Sequence, residues 1–281
     1  MAPSILIIGA TGNTGRSVTE TLPEPLKATK SLSDHRVIGL TRSLDSPVSK
    51  QLAKVPGVEM VEQNWVEITA DWLREHEVVR AFIASHNAPN QFAEESTFHL
   101  AALKAGVNNL QWTSLQPNVF SPLYLFTAAE FIRQYRKTGT QDTLKLMAAK
   151  DAPVGIVDPD EVGRFAALLL SQDDTTVHNK AKYVLNGLED VTGAQIVNMV
   201  EQHTGTKVQH VSYEDMSFVD SFLDAGSLGA QQSTNVILSI KYAPVTAWEG
   251  KCMAATTSKE VLELAAPKRT PVDVLRDLLE V

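Results

Sequence analysis

The chain carries near its start the stretch Ser4-Ile5-Leu6-Ile7-Ile8-Gly9-Ala10-Thr11-Gly12-Asn13-Thr14-Gly15, from which we predict the fold. Ile5 to Ile8 form a run of leucine and β-branched residues that is too short for a helix and is bounded by glycine. Such a run is typical of a strand buried on both faces of a parallel sheet. Three glycines spaced G-x-x-G-x-x-G follow, and we expect a helix from Arg16 to Leu22, ended by Pro23. A strand, a glycine turn and a helix in this order indicate a dinucleotide-binding unit.

Each glycine of this turn has a physical task. Gly9 lets the chain turn sharply off the strand, Gly12 lets the backbone approach a pyrophosphate, and Gly15 lets the helix pack on the sheet. The N–H groups at the start of the helix then face the anion. The residues predicted to bind a cofactor here are Gly9, Thr11, Gly12, Asn13, Thr14 and Gly15. The alternative is a glycine-rich connection without a ligand, whereas a phosphate-loop hydrolase is excluded because Thr14 stands where its motif needs a second glycine.

Strands and helices alternate along the rest of the chain. In the first half we predict strands over 37–41, 57–62 and 78–85, a helix from Glu94 to Ala105, and a surface loop from Pro25 to Asp34. In the second half we predict strands over 110–115, 154–157, 182–186 and 207–211, with helices over 123–136 and after Asp158, Thr192 and Thr270. Strands separated by helices predict an α/β fold with a doubly wound parallel sheet, a Rossmann core.

The composition narrows the class of protein. With 25 Lys+Arg against 33 Asp+Glu, the net charge of -8 argues against a nucleic-acid binder, because that affinity comes from neutralising phosphates. The single cysteine, Cys252, excludes an intramolecular disulfide framework and a multi-cysteine metal site, and no histidine pair has ligand spacing, so no metal is expected. No apolar stretch reaches the roughly 18 to 20 residues of a membrane helix. We therefore expect a cytoplasmic protein that binds no membrane.

The type of cofactor is read at the end of the second strand. Arg42 and Ser43 stand there, and the first acid is Asp45. NAD enzymes place an acid on the ribose hydroxyls at this point, whereas an arginine accommodates the 2′-phosphate of NADP. The sequence thus favours NADP; the alternative is that Arg42 is a solvated surface residue.

Further cofactor contacts are expected where other strands end, because ligands of such sheets lie outside the carboxyl ends of the strands. Asn64 follows the third strand and is expected to bond the adenine. Ser85, His86 and Asn87 follow the fourth strand, where the ribose and nicotinamide should pass. The position of His86 supports a binding role rather than catalysis.

The chain resembles the NmrA-like family of atypical short-chain dehydrogenases. The resemblance is carried by the glycine turn and by Thr41-Arg42-Ser43, Trp112-Thr113-Ser114-Leu115-Gln116-Pro117-Asn118-Val119-Phe120 and Asp158-Pro159-Asp160-Glu161-Val162-Gly163. It implies that residues 1–150 form an NADP-binding Rossmann core and that residues 151–281 form a mixed lobe, which adds a core strand and helix and the substrate side. It also implies that Asn118 and Phe120 border the nicotinamide.

Two departures from the family pattern bear on catalysis. Gln116 replaces an arginine of the W-T-x-L-R-P stretch. In addition, only a few residues join Gly106 to Trp112, where the family inserts a strand and a helix that carry its Tyr-x-x-x-Lys pair. None of the five tyrosines has a lysine four residues on, so no catalytic residue is assigned.

The apparent deletion after residue 107 has two structural interpretations. In the first, residues 110–115 become the fifth strand and pair directly with the strand at 78–85. In the second, they keep the position they have in the family and leave a gap beside that strand. Exposed sheet edge is costly, which favours the first interpretation, whereas the resemblance favours the second.

The resemblance implies two functions. The first is an NADP(H)-dependent oxidoreductase acting on a small organic substrate with a C=O, C=C or quinone group. Because fungal relatives accompany biosynthetic enzymes, this function implies a place in secondary metabolism. The alternative is a non-catalytic redox sensor or transcriptional regulator that binds NADP and a protein partner, for which a nuclear location is also expected.

Overall fold

The computed structural model of the protein describes residues 2–86, 90–106, 111–220 and 234–280. Their contacts form two compact units, Met1–Leu115 with Pro159–Lys182 and Gln116–Asp158 with Tyr183–Val281. The assignment of cofactor and substrate roles on either side of residue 150 stays a prediction.

The helices and strands in chain order are β1 (Ser4–Ile8), α1 (Asn13–Thr21), α2 (Pro23–Ala28), β2 (Arg36–Thr41), α3 (Pro47–Leu52), β3 (Val58–Glu62), α4 (Ala70–Glu75), β4 (Val78–Ile83), α5 (Gln91–Lys104), β5 (Thr113–Pro117), α6 (Ser121–Thr138), β6 (Leu144–Lys145), α7 (Pro159–Leu170), β7 (Ala181–Leu185), α8 (Gly193–Thr204), β8 (Val211–Ser212), α9 (Thr234–Ser239), α10 (Val245–Trp248), α11 (Lys259–Ala265) and α12 (Pro271–Glu280).

The first unit is built on a four-stranded sheet in the order β3-β2-β1-β4. All three pairings are parallel, with Ile5 opposite Val37 on one side of β1 and opposite Arg80 on the other. Parallel neighbours require helical crossovers, and these cover both faces of the sheet. The predicted fold class, an α/β doubly wound parallel sheet of Rossmann type, is confirmed.

The alternating side chains of β1 supply the core on both faces. Ile5 and Ile7 pack with Val18 of α1, while Leu6 and Ile8 face the other way and pack with Phe98 of α5. All four residues of the run are buried, as expected of a central strand.

The second unit is mainly helical. α6 packs against both α8 and α12, and a short parallel pair of strands, β6 and β8, sets Leu144 opposite Val211. Its core contains Tyr124, Leu125, Ile132, Ile196, Val200 and Leu275. At the start of α12, the Thr270 hydroxyl accepts a hydrogen bond from the Asp273 N–H at 3.1 Å, and the Asp273 carboxylate accepts one from the Thr270 N–H, also at 3.1 Å. The helix cap predicted at Thr270 is thus confirmed.

The loop predicted from Pro25 to Asp34 is partly wrong, because its first residues are helical. α2 has Pro23 at its first position and buries Leu26. Proline is tolerated in the first turn of a helix, since the N–H that it lacks would have no intrahelical acceptor there. The two prolines therefore start α2 after α1 has ended.

The strand predicted over residues 110–115 lies further along the chain, at Thr113–Pro117, and Leu110 is outside the described residues. β5 pairs with β7 in a separate two-stranded sheet, whereas within the described ranges β4 has β1 as its only strand neighbour. The first interpretation of the deletion, direct pairing with the strand at 78–85, is therefore wrong for β5. The backbone N–H of Lys180 donates to the carbonyl of Trp112 at 2.7 Å, and this bond holds the chain beside β7 where β5 begins.

Two further strand predictions are wrong in extent. Residues 154–157 make isolated bridges, Val154 with Val191 and Phe120 with Val157, instead of a strand. Residues 207–211 contribute to a strand only at Val211, because the N–H groups of Val208 and Gln209 donate instead to the side chains of Glu201 at 3.1 Å and Gln141 at 3.0 Å. No helix in the described part of the chain is long and apolar enough to cross a membrane.

Candidate functional site

The glycine turn after β1 is held so tightly that side chains cannot be added at two of its positions. Gly9 has φ of 76°, and a Cβ built on it would lie 2.3 Å from the carbonyl oxygen of Ala84. A Cβ on Gly15 would lie 2.1 Å from the carbonyl oxygen of Gly9. The first glycine is therefore required by the turn and by the end of β4, and the third by the approach of α1 to the turn.

Gly12 differs from its neighbours because nothing in its own conformation demands glycine. Its φ and ψ are -81° and 175°, which any residue adopts, and a Cβ there would lie 3.3 Å from the Gly9 oxygen. This contact is tighter than most that Cβ atoms make, so a side chain at this position, the N-cap of α1, would require a shift of a few tenths of an ångström. A bound pyrophosphate, which needs close approach of the backbone, gives a reason for glycine at this position.

The N-terminus of α1 has the properties of an anion site. Within the described residues no side chain caps it, and its first turn contains no acid. The carbonyl of Gly12 accepts the N–H of Arg16 at 2.9 Å, so the preceding N–H groups have no intrahelical acceptor. The partial positive charge at this end is therefore available to a phosphate group.

α7 supports this turn from the side, a contribution that sequence reasoning missed. A Cβ on Gly163 would lie 2.5 Å from the Cβ of Ser17 and 2.9 Å from the carbonyl oxygen of Thr14, so α7 packs directly on the first turns of α1. The Ser17 hydroxyl donates to the carbonyl of Asp160 at 2.8 Å. The signal in the sequence was a glycine inside a helix, which often marks close packing.

Arg42 and Ser43 lie directly after β2, as predicted. The Arg42 side chain is exposed at the carboxyl end of the strand. The backbone beneath it is fixed, because the carbonyl of Ser43 accepts hydrogen bonds from the hydroxyls of Thr41 at 2.9 Å and Ser49 at 2.8 Å. The nearby Asp45 is paired with Lys50 at 3.0 Å.

Asn64 follows β3 and lies at the start of a 3-10 turn. Its side-chain oxygen Oδ1 accepts the N–H of Val66 at 3.3 Å, and its side-chain Nδ2 donates to the Glu67 carboxylate at 3.2 Å. The side chain is exposed but already acts as a cap. Its contact with adenine stays a prediction.

Ser85 and His86 follow β4 and contact acids in the first turns of α5. The Ser85 hydroxyl donates to Glu95 at 2.6 Å, and His86 Nε2 lies 2.7 Å from Glu94. Burial opposes ionisation of Glu95, but hydrogen bonds from Ser85 and Gln91 hold the pKa of that carboxyl below its ordinary value. Asn87 lies outside the described residues.

Asn118 and Phe120 belong to the second unit. The Asn118 amide donates to the carbonyls of Gly155 at 3.2 Å and Cys252 at 3.0 Å, and its oxygen accepts the N–H of Val119 at 2.7 Å. Phe120 is the N-cap residue of α6. The Asn118 side chain thus joins segments of its own unit, and the nicotinamide contact implied for both residues stays a prediction.

The described residues offer few candidates for a catalytic acid. Tyr124, the first tyrosine after the Trp112 to Phe120 stretch, has a buried hydroxyl without a hydrogen-bond partner in the described part of the chain. Burial raises the pKa of Tyr124, and the nearby Cys252 adds to this. No group of three or more metal-ligating side chains occurs among the described residues.

Residues 1–122, which contain the glycine turn, match the model of the NmrA-like family. The resemblance to this family is confirmed. A comparison with curated proteins finds no match.

Solved structures with similar folds include members of the NmrA-like group. The NADPH-dependent quinone oxidoreductase QOR2 of Escherichia coli, in complex with NADPH, has a TM-score of 0.68 and 19% identity, covering 98% of this chain and 99% of its own. Triphenylmethane reductase of Citrobacter has a TM-score of 0.62 and 16% identity over 99% and 100% of the two chains. NmrA, a negative transcriptional regulator, has a TM-score of 0.63 and 15% identity over 100% and 96%. At these identities the likeness establishes the shared fold.

Proposed function

We propose that this NmrA-like chain binds NADP(H) at the glycine turn and catalyses hydride transfer to a small organic substrate with a quinone, C=C or C=O group. The observation that carries the proposal is the N-terminus of α1 at Gly12. Among the described residues no side chain caps it, the first N–H groups of the helix have no intrahelical acceptor, and Gly12 has no side chain that would block a phosphate. The proposed contacts to the pyrophosphate come from these N–H groups and from Asn13 and Thr14. NADPH-dependent QOR2 and NADP(H)-bound triphenylmethane reductase share the fold, which supports this assignment.

The proposed preference for NADP rests on Arg42 and Ser43. An exposed guanidinium on a fixed backbone, with the next acid along the chain, Asp45, engaged by Lys50, suits the doubly charged 2′-phosphate. An arginine also binds phosphate through two parallel N–H groups, which adds geometric selectivity.

The missing Tyr-x-x-x-Lys pair shapes the proposed substrate class. When bound, the cofactor supplies a hydride, and the substrate then needs a proton on the oxygen or carbon that takes up the negative charge. A simple ketone becomes a strongly basic alkoxide and benefits most from a protein acid. A quinone or enone delocalises the charge and is protonated readily by water. The sequence therefore favours a conjugated acceptor.

A second candidate is a redox sensor that binds NADP without turnover and acts through a protein partner. The absence of the tyrosine–lysine pair from the sequence favours it, and the regulator NmrA shares the fold. The two candidates share the cofactor site and differ in chemistry alone.

One experiment separates them. NADPH oxidation is followed with a panel of quinones, enones and simple ketones, alongside calorimetric titration of NADPH. The proposal predicts turnover with at least one conjugated acceptor, lost in the Gly12→Val variant. Tight binding of NADPH without turnover of any acceptor would rule out the oxidoreductase and favour the redox sensor.

A further inference from the structure

The segment that leaves β4 lies directly beside the glycine turn. The Ala84 N–H donates to the carbonyl of Ile8 at 3.0 Å, and a Cβ on Gly9 would lie 2.3 Å from the Ala84 oxygen. Ser85 is the next residue along the chain, and its side chain is partly exposed. The Ser85 hydroxyl therefore stands next to the proposed cofactor site.

The Ser85 hydroxyl belongs to a closed triangle of three side chains. Ser85 Oγ lies 2.6 Å from Glu95 Oε1, and Gln91 Nε2 lies 2.9 Å from each of these two oxygen atoms. Gln91 is the first residue of α5, and Glu95 stands one turn further along the same helix. Burial opposes ionisation of Glu95, but the hydrogen bonds from Ser85 and Gln91 hold the pKa of its carboxyl below the ordinary value. Glu95 is therefore a carboxylate at neutral pH.

The charge of Glu95 determines the direction of each hydrogen bond in the triangle. A carboxylate only accepts, so the Ser85 hydroxyl donates its one proton to Glu95, and Gln91 turns its amide nitrogen towards both partners. That nitrogen also donates to Ser85 Oγ, which as a serine oxygen can accept two hydrogen bonds. Among the residues that the structure describes, Gln91 fills one of these two positions. Ser85 can therefore accept one more hydrogen bond, and it has no further proton to donate.

The order of the strands indicates which half of the cofactor lies at this position. In the sheet β3-β2-β1-β4, β1 and its glycine turn separate β2 from β4. The proposed contacts to the 2′-phosphate, Arg42 and Ser43, follow β2, so the adenosine half belongs on that side. With the pyrophosphate at the glycine turn, the nicotinamide half extends over the carboxyl end of β4.

We propose that Ser85 accepts a hydrogen bond from the nicotinamide half of NADP(H), and that Glu95 is the positioning residue that holds the serine as an acceptor. The donor is a ribose hydroxyl or the N–H group of the carboxamide, since both carry a proton. The pyrophosphate carries none at neutral pH, and the negative charge of Glu95 opposes a phosphate at this place. This role of Ser85 rests on the proposed function, which places NADP(H) at the turn.

Calorimetric titration with NADPH and with 2′,5′-ADP, which lacks the nicotinamide half, tests both roles. Ser85→Ala and Glu95→Ala should each weaken NADPH binding about 3-fold to 10-fold, the contribution of one hydrogen bond, and change 2′,5′-ADP binding less than about twofold. The double variant should lose no more than Ser85→Ala alone, because Glu95 acts through Ser85. Glu95→Gln keeps an acceptor for the serine proton and should restore most of the affinity. The controls are Ser96→Ala, at an exposed position of α5, and Glu24→Ala, in the first turn of α2.

A third ligand distinguishes the two donors. In the 3-acetylpyridine analogue of NADPH an acetyl group replaces the carboxamide, so the N–H donor is missing. If the carboxamide is the partner, Ser85→Ala should bind this analogue as the wild type does. If a ribose hydroxyl is the partner, Ser85→Ala should weaken the analogue as much as it weakens NADPH.

The outcomes also separate this proposal from the proposed function. A wild-type protein that binds NADPH and 2′,5′-ADP, with NADPH affinity unchanged in Ser85→Ala and Glu95→Ala, would overturn the role of these two residues alone. Equal weakening of NADPH and 2′,5′-ADP in both variants would overturn it as well, because the contact would then not be to the nicotinamide half. A wild-type protein that binds neither ligand would contradict the proposed function and the role of Ser85 together.

Discussion

Gly12 and Gly15 stand in the same turn but perform different tasks, and substitution separates them. Gly12 has an ordinary backbone conformation, and a Cβ there, 3.3 Å from the Gly9 oxygen, needs a shift of only a few tenths of an ångström, so Gly12→Val should fold and lose NADPH. A Cβ on Gly15 would lie 2.1 Å from a backbone oxygen, so Gly15→Ala should lower the free energy of unfolding by about 1 to 3 kcal/mol. Urea denaturation and NADPH titration of both variants check this. Loss of stability in Gly12→Val with retained binding would reverse the assignment.

Arg42 carries the proposed choice between the two nicotinamide cofactors. A charge-assisted hydrogen bond contributes about 1.5 to 3 kcal/mol, so Arg42→Ala should weaken NADPH binding by about 10-fold to 100-fold. Binding of NADH, which lacks the 2′-phosphate, should change little. Lys27→Ala removes an exposed cation from the same unit and serves as the control. An equal loss for both cofactors in Arg42→Ala would defeat the assignment of the 2′-phosphate.

Among the elements, α12 offers a test by pH. Hydrogen bonds from the hydroxyl and N–H of Thr270, helped by Arg276, lower the pKa of Asp273 to about 2. A carboxyl whose pKa is lower in the folded state stabilises the protein above its unfolded pKa, and the contribution is lost as pH falls towards 2. Asp273→Asn should therefore be less stable than wild type near neutral pH, and the difference should shrink below about pH 4. Chemical denaturation at several pH values measures this difference in the free energy of unfolding, and Asp71→Asn, at an exposed position, is the control. A difference that does not change with pH would contradict the proposed cap.

The elements also show what the sequence can predict. β1 and its glycine turn were predictable because burial on both faces and the task of each glycine are local properties. The ion pair of Asp158 with Arg269, at 2.7 Å, joins residues far apart in the sequence, and no local pattern signals it. The pairing of β5 with β7 was missed for the same reason. α2 was missed because a proline that ends one helix also starts the next.

In the candidate site, the positions after strands were predictable and the contacts of their side chains were not. Topology alone places Arg42, Asn64, Ser85 and His86 at the carboxyl ends of parallel strands. The partners of Ser85 and His86 come from α5, whose acids are close in space because of how that helix packs. Gly163 contacts the turn from another helix, α7, and this contact can be recognised only once the fold is known.

For the whole molecule, the two units predict different responses to the cofactor. Bound NADPH should slow hydrogen exchange in the first unit over residues 4–21 and 36–43, because these peptides hold the proposed phosphate contacts. Residues 193–204 and 271–280 of α8 and α12 should be unaffected. Protection at 118–120 as well would support the nicotinamide contact implied for Asn118 and Phe120. Uniform protection across both units would contradict a local site.

Calorimetric titration of the wild-type protein with NADPH and NADH tests the cofactor assignment most directly. We predict one site per chain, NADPH bound at least tenfold more tightly than NADH, and no binding of either by Gly12→Val. A folded wild-type protein that binds neither cofactor would show that the glycine turn is a structural connection and would contradict the proposed function.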